Sequence, residues 1–204
     1  MVEKNFALER LVFISDAVVA VSIALLALGI GIKSISSEYW QFSDIGNLFK
    51  LLAAFTLSFF NIANFWRTHH ACFTHINRVD ERLLWYNMLW LFFIVLIPFS
   101  TSLLSTFWGE TIAATVYSMN TLLIALSQNL IWDYASDNKY TKEVISTKID
   151  DSIRIFSNLD MINGALALTF SFFHPFAAFV LLFIKLPMIV ISRMYFREGR
   201  SSRG

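Results

Sequence analysis

Arg10, Ser15 and Asp16 open a stretch that runs from Ala17 to Ile32 without a charged residue. A carboxylate beside so long an apolar run is costly in hydrocarbon unless it is partnered or faces a cavity, which makes Asp16 a candidate functional group. On a helical wheel of about 100° per residue, Val21, Ala24, Leu25, Leu28 and Ile32 form one stripe, and Ser15, Asp16 and Ser22 lie off it. Periodicity leaves two readings open. Either the stripe faces a symmetry axis and Asp16 points sideways into neighbouring helices as a buttress, or the stripe packs against another helix of the same chain. Arg10 and Asp16 are too far apart in sequence to share a helix face, which pairs three or four apart do. Any ion pair they make is therefore with other helices or subunits, and Arg10 taken alone reads as a basic anchor at the cytoplasmic surface.

The second constellation is Trp66-Arg67-Thr68-His69-His70, followed by His75. Imidazoles are common metal ligands, but this spacing does not suit a metal. His69 and His70 point apart on a helix, and His70 and His75 miss the i, i+4 pairing of a zinc helix. No carboxylates cluster with them. The spacing instead favours a hydrogen bond from a histidine to a buried carboxylate such as Asp16, because buried charge needs partners.

Asn61, Asn64, Asn87, Asn120, Gln128, Asn129 and Asp160 stand within apolar stretches, where hydrogen bonds between helices are the expected role. Lys185 either pairs with a carboxylate or extends its ammonium to the interface. The sequence contains no TVGYG, so the carbonyl-ring filter of ordinary potassium channels is absent. It contains no Walker motif, GxSxG or HExxH, which leaves an enzyme reading without support and implies no cofactor.

These residues need long apolar helices to hold them. The chain has 204 residues, 56% hydrophobic and only 15% charged, against roughly 25% charged in a soluble domain. A polytopic membrane protein follows. Its one cysteine, Cys72, allows no intrachain disulfide. The charged N-terminus and the lack of a small-residue cleavage site mark the first apolar run as a retained span. A spanning helix needs about 20 apolar residues. The predicted spans are Leu11–Ile32, Leu48–Trp66, Leu83–Leu104, Thr111–Trp132, Ile155–Phe173 and Pro175–Ser192, the last two divided at His174-Pro175 because proline ends a helix. The whole chain, 1–204, reads as one six-span domain.

Six spans put both termini on one side with Lys4, Arg10, Arg67, Arg78, Arg82, Lys139, Lys142, Lys148, Arg154 and the C-terminal arginines, leaving Lys33 and Lys50 on the other. That asymmetry makes the termini cytoplasmic. Ser34–Gly46 and Ser105–Glu110 are then external connections. Thr68–Arg82 and Asp133–Asn158 are cytoplasmic, the latter with Ile145, Ile149, Ile153 and Phe156 at helical spacing.

Arg10-x-x-x-Ile14-Ser15-Asp16-Ala17-Val18, Trp66-x-x-His69-His70, Leu83-Leu84-Trp85-Tyr86-Asn87 and Pro98-Phe99 together resemble the transmembrane protein 175 family of potassium channels. The family's signature phenylalanine is replaced by Ile14, with Phe13 one position earlier. The resemblance implies an all-α homotetramer in the cell membrane, without a re-entrant loop, whose first helix lines a central pore. Val21, Leu25 and Leu28 would form the hydrophobic layers. A hydroxyl layer present in many members aligns with Ala24, which implies weak selectivity. Arg10, Ser15 and Asp16, with Trp66, His69, His70 and Asn87, would tie the pore helix to its scaffold. The implied partners are potassium and other monovalent cations, passing transiently, and the lipid bilayer, with no nucleic acid. Two rivals stand beside this: a proton- or cation-coupled carrier titrating Asp16, Asp160 and Lys185, and a metalloenzyme using His69, His70 and His75.

Overall fold

Leucine, isoleucine, phenylalanine and alanine dominate runs that glycine and proline seldom interrupt, and such runs satisfy their own backbone polar groups as helices. The computed structural model describes residues 2–34, 42–142 and 147–185. Every regular element among them is helical. The elements are α1 (Val2–Ser34), α2 (Phe42–His75), α3 (Glu81–Val95), α4 (Ile97–Thr106), α5 (Thr111–Asp137) and α6 (Thr147–Ser171), with α7 over Pro175–Lys185. The remainder of the last predicted span, the side chain of Ile32 and the C-terminal arginines lie outside the described residues.

Among the described residues, three segments are long and apolar enough to cross a membrane: Ala7–Gly29, Ile45–His75 and Glu81–Thr106. The second continues as helix well past Trp66. At 1.5 Å per residue, α2 is about 50 Å long, so the histidines of the presumed loop Thr68–Arg82 ride on its last turns. The third segment bends. Pro98 lacks an N–H and its ring opposes the carbonyl four residues back, and the helix breaks at Leu96 between α3 and α4. Ser100 and Thr101 then turn their hydroxyls back onto the Ile97 carbonyl, at 3.0 and 2.7 Å. The predicted tight turn before α5 is present, with Gly109 at φ 87°. Of the expected helical spacing within Asp133–Asn158, Ile149, Ile153 and Phe156 fall on α6, which begins at Thr147, and Ile145 lies outside the described residues.

Packing forms two large clusters beside a small third one of Cys72, Trp132 and Ile153. The main core joins α1, α2, α3 and α5 through Leu11, Val19, Phe65, Leu83, Trp90 and Ile124. A second cluster joins α2, α4, α5, α6 and α7 through Leu57, Leu104, Tyr117, Ala167 and Leu182. α5 and α6 lie closest together at Gly164, where a β-carbon would sit 3.0 Å from the Leu122 α-carbon. Only a small residue lets two helix backbones approach that closely.

The connections after α2 and α5 are tied to each other. Asn77 donates its backbone N–H to the Tyr140 carbonyl at 2.8 Å, and Lys142 donates to the His75 carbonyl at 2.9 Å. Asp80 caps α3 by accepting from the Leu83 N–H at 2.9 Å. It also accepts from the Tyr134 and Tyr140 hydroxyls at 2.6 and 3.2 Å. Burial would push this carboxyl up, but the phenol and backbone donors outweigh burial and hold it below the usual carboxylate range.

Candidate functional site: the first helix and its scaffold

α1 turns two unlike faces to its surroundings. Ser15 and Ser22 are 0% exposed, on the same side as buried Leu11, Val19 and Leu26. Each serine satisfies its hydroxyl within the helix, Ser15 on the Leu11 carbonyl at 2.8 Å and Ser22 on the Val18 carbonyl at 2.9 Å. On the opposite side Val21, Leu25 and Leu28 are 58%, 45% and 61% exposed. Ala24, Ala17, Ile14 and Arg10 share that exposed side. The described residues of the same chain therefore leave the Val21 stripe uncovered.

A chain of hydrogen bonds fixes the buried face. His69 donates Nε2–H to Asn87 Oδ1 at 2.7 Å. Asn87 in turn donates Nδ2–H to Ser15 Oγ at 3.0 Å. This carries α2 through α3 to α1, where the Ser15 hydroxyl in turn donates to the Leu11 carbonyl. His69 is held flat by Trp90, whose ring stacks 4.1 Å away, and by Phe73 at 4.4 Å. Sequence reading did not pick out Trp90. Its signal was its position one helical turn after Asn87, on the same face of α3.

Asp16 is held differently. Its Oδ1 accepts from the Trp66 indole N–H at 2.8 Å. The expected histidine partner is therefore corrected: tryptophan takes the carboxylate, because His69 is engaged with Asn87 one turn further along α2. His70 lies on the exposed side of α2 with its ring 5.6 Å from that of Trp66. Among the described residues no three histidine, cysteine, aspartate or glutamate side chains converge as metal ligands.

A second charged centre lies across the bundle. Lys185 Nζ of α7 is 3.2 Å from Asp160 Oδ1 of α6, and the two side chains are 4% and 3% exposed. Asn64 of α2 donates Nδ2–H to both Asp160 oxygens, at 3.1 and 3.0 Å. The Lys185 ammonium also sits 4.6 Å above the Phe65 ring. Lys185 thus pairs with a carboxylate and does not extend to an interface. Above this centre, Ser58, Thr101, Tyr117 and Asn61 form a neutral cluster with contacts of 2.7 to 3.1 Å.

The sequence of residues 10–98 matches the family model described as endosomal/lysosomal potassium channel TMEM175. A potassium channel of Streptomyces collinus is 31% identical over 122 residues, which cover 58% of this chain and 59% of that one. A potassium channel of a Chryseobacterium species is 27% identical over 173 residues, covering 83% and 85%. The crystal structure of a lysosomal potassium-selective channel TMEM175 homolog from Chamaesiphon minutus superposes with a TM-score of 0.76 at 24% identity, covering 91% of this chain and 97% of that one. The matched segment holds both faces of α1, the Trp66–His69 turn, Asn87 and the Pro98 bend, and over these residues the chain is similar to the endosomal/lysosomal potassium channel TMEM175 family.

Proposed function

We propose that four copies of this chain surround an axis lined by α1 and conduct potassium and other monovalent cations with weak selectivity. The observation that carries this is the uncovered stripe of Val21, Leu25 and Leu28 opposite a fully buried serine face. Copies of the stripe brought together form narrow apolar layers that resist hydration and act as barrier and gate. The potassium-channel names of the Streptomyces and Chryseobacterium relatives support potassium as the ion.

Each chain then spans the membrane six times as one domain, with α3 and α4 forming one bent span. α5 and α6 reach a lower hydropathy because Asn120, Gln128 and Asp160 stand in them, and these polar residues are buried inside the protomer. The lysine and arginine distribution supports a cytoplasmic side for both termini in the cell membrane. The hydrogen-bonded residues Ser15, Asp16, Trp66, His69 and Asn87 hold the pore helix, with Arg10, Ile14 and His70 at its exposed margin.

Potassium flux from liposomes containing the purified protein tests this. Val21→Ala and Leu28→Ala widen the layers and are expected to raise leak and relax discrimination between potassium and sodium. Unchanged flux in both takes these residues out of the pore. Ala24→Thr restores a hydroxyl to the stripe and is expected to raise potassium preference. A monomer in detergent would end the shared-pore reading. The carrier alternative predicts saturable, coupled flux in place of single-channel currents. It draws on Asp16, Asp160 and Lys185, and the last two pair their charges with each other.

A further inference from the structure

The Asp160–Lys185 pair lies away from the exposed stripe of α1, yet it is the most deeply buried pair of charges among the described residues. Packing alone does not require it, since α7 already packs through Ala178 and Leu182 against Leu57 of α2. An ion pair buried in an apolar interior adds little net stability over apolar residues of the same size, and its best-attested use is to fix one helix register. The register fixed here is on α2. Asn64 chelates both oxygens of Asp160, and Phe65 lies beneath the Lys185 ammonium. On the next turn of the same helix, Trp66 holds Asp16 and His69 holds Asn87 and, through it, Ser15. Successive positions point about 100° apart, so Asn64 faces α6 and α7 while Trp66 and His69 face α1 and α3. One short segment of α2 is thus gripped from behind by a charged pair and grips α1 in front.

We propose that Asp160 and Lys185 are positioning residues for α1, acting through Asn64, so that α7 sets the rotation and depth of α2 and hence of the exposed stripe. The consequence for conduction rests on the channel reading above; the mechanical coupling does not.

The test uses the full chain and two variants. Asn64→Leu removes the link and leaves the charges paired. The double variant Asp160→Asn with Lys185→Met removes both charges and strands neither. Hydrogen exchange of α1 amides 11–22 is compared with that of α5 amides 117–128 in the same protein, and potassium flux is measured beside it. Each variant is expected to speed α1 exchange at least about tenfold, a local opening and not a global one, with α5 changed less than about twofold. Combining all three substitutions is expected to add little to either, as for residues acting along one line. Flux shifts in the same direction in both variants. The exchanged pair, Asp160→Lys with Lys185→Asp, is expected to bring α1 protection back towards the parent protein. Exchange in α1 within about twofold of the parent for both variants overturns the proposal. Equal loosening of α5, or failure of both variants to fold, shows a general structural role and overturns it too. A parent protein that carries no potassium removes the channel reading, while the exchange comparison still decides the coupling.

Discussion

Asp16 and Asp160 are both aspartates on long helices, and the protein treats them in opposite ways. Asp16 lies half-buried near the middle of α1 and accepts from a neutral donor, the Trp66 indole. Asp160 is enclosed and takes an ammonium and both reaches of an amide. The difference follows from what each site can draw on for solvation. A carboxylate with partial access to water needs orientation more than neutralisation. One sealed among helices needs a counter-charge, because desolvation is not otherwise repaid. The first arrangement orients a carboxylate on α1 through a neutral N–H. The second locks two helices together.

The largest effect expected from this contrast is at the sealed centre. Lys185→Met or Asp160→Leu alone strands a buried charge and is expected to destabilise the protomer by about 3–5 kcal/mol. The neutral double variant is expected to recover most of that loss. Thermal unfolding in detergent measures both. Asp16→Ala should fall well short of the Lys185→Met loss. Equal losses at the two sites would erase the distinction between them.

Next in size is the relay on the buried face. Asn87→Leu leaves the His69 Nε2–H without its acceptor inside a stack of aromatic rings and takes a donor from Ser15. A loss of about 2–3 kcal/mol is expected for stranding such a group. The loss should be read in the same unfolding experiment. A Ser15→Ala change should be milder, because it removes an acceptor and leaves Asn87 with one free N–H.

Why one of these centres was legible in sequence and the other was not is itself physical. The α1 arrangement is local. Ser15, Ser22 and the Val21 stripe are separated by helical period alone, and a wheel divides them correctly into a buried and an uncovered face. Trp66, His69 and Asn87 also sit at fixed short spacings in their own helices. The identity of their partners is not local. Whether Trp66 or His69 reaches Asp16 depends on how far α2 has rotated about its axis, and hydropathy carries no such information. The Asp160 centre depends on three helices distant in sequence. Asn64 looked like any other asparagine in an apolar run, and Lys185 could equally have snorkelled. The six-span expectation is a related case. Buried polar residues lower the mean hydropathy of α5 and α6 as effectively as solvent-facing ones do, and among the described residues three segments are long and apolar enough to cross a membrane. The break at Leu96 was foreshadowed by Pro98, whereas the continuation of α2 to His75 was hidden by the change from apolar to basic residues along an unbroken helix.

Trp66→Phe sharpens the comparison from the weaker side. It keeps the ring beside His70 and removes only the N–H that reaches Asp16. For a hydrogen bond to a charged group with partial solvent access, a loss of about 1 kcal/mol is expected. The informative readout is α1 itself. Amides near Asp16 should exchange faster while those of α6 do not change. If α6 loosens equally, the Asp16 contact is not a local clasp on α1.

Asp80 supplies a third kind of partner, phenols and a backbone N–H, and it gives the smallest expected effect because it lies at the margin of the bundle. Its folded acidity is held below the ordinary carboxylate value despite the opposing effect of burial. A carboxyl depressed in the folded state contributes stability that is fully present above its unfolded value, about pH 4, and that is lost as pH falls through the lower folded value. Unfolding in detergent should therefore carry the full Asp80 contribution near neutrality, with no pH dependence from it there, and that contribution should disappear only in the acid range below about pH 4. Tyr134→Phe removes the nearest phenol donor, returns the carboxyl towards its ordinary value and should flatten this part of the acid limb. Asp80→Asn should remove it altogether while keeping an acceptor for the Leu83 N–H. An acid limb identical in all three proteins would mean that the phenols orient Asp80 without favouring its charge. Asp80 would then belong with the Asp16 type of site, where a neutral donor sets direction, and the energetic division among the three carboxylates would rest on the lysine of the Asp160 centre alone.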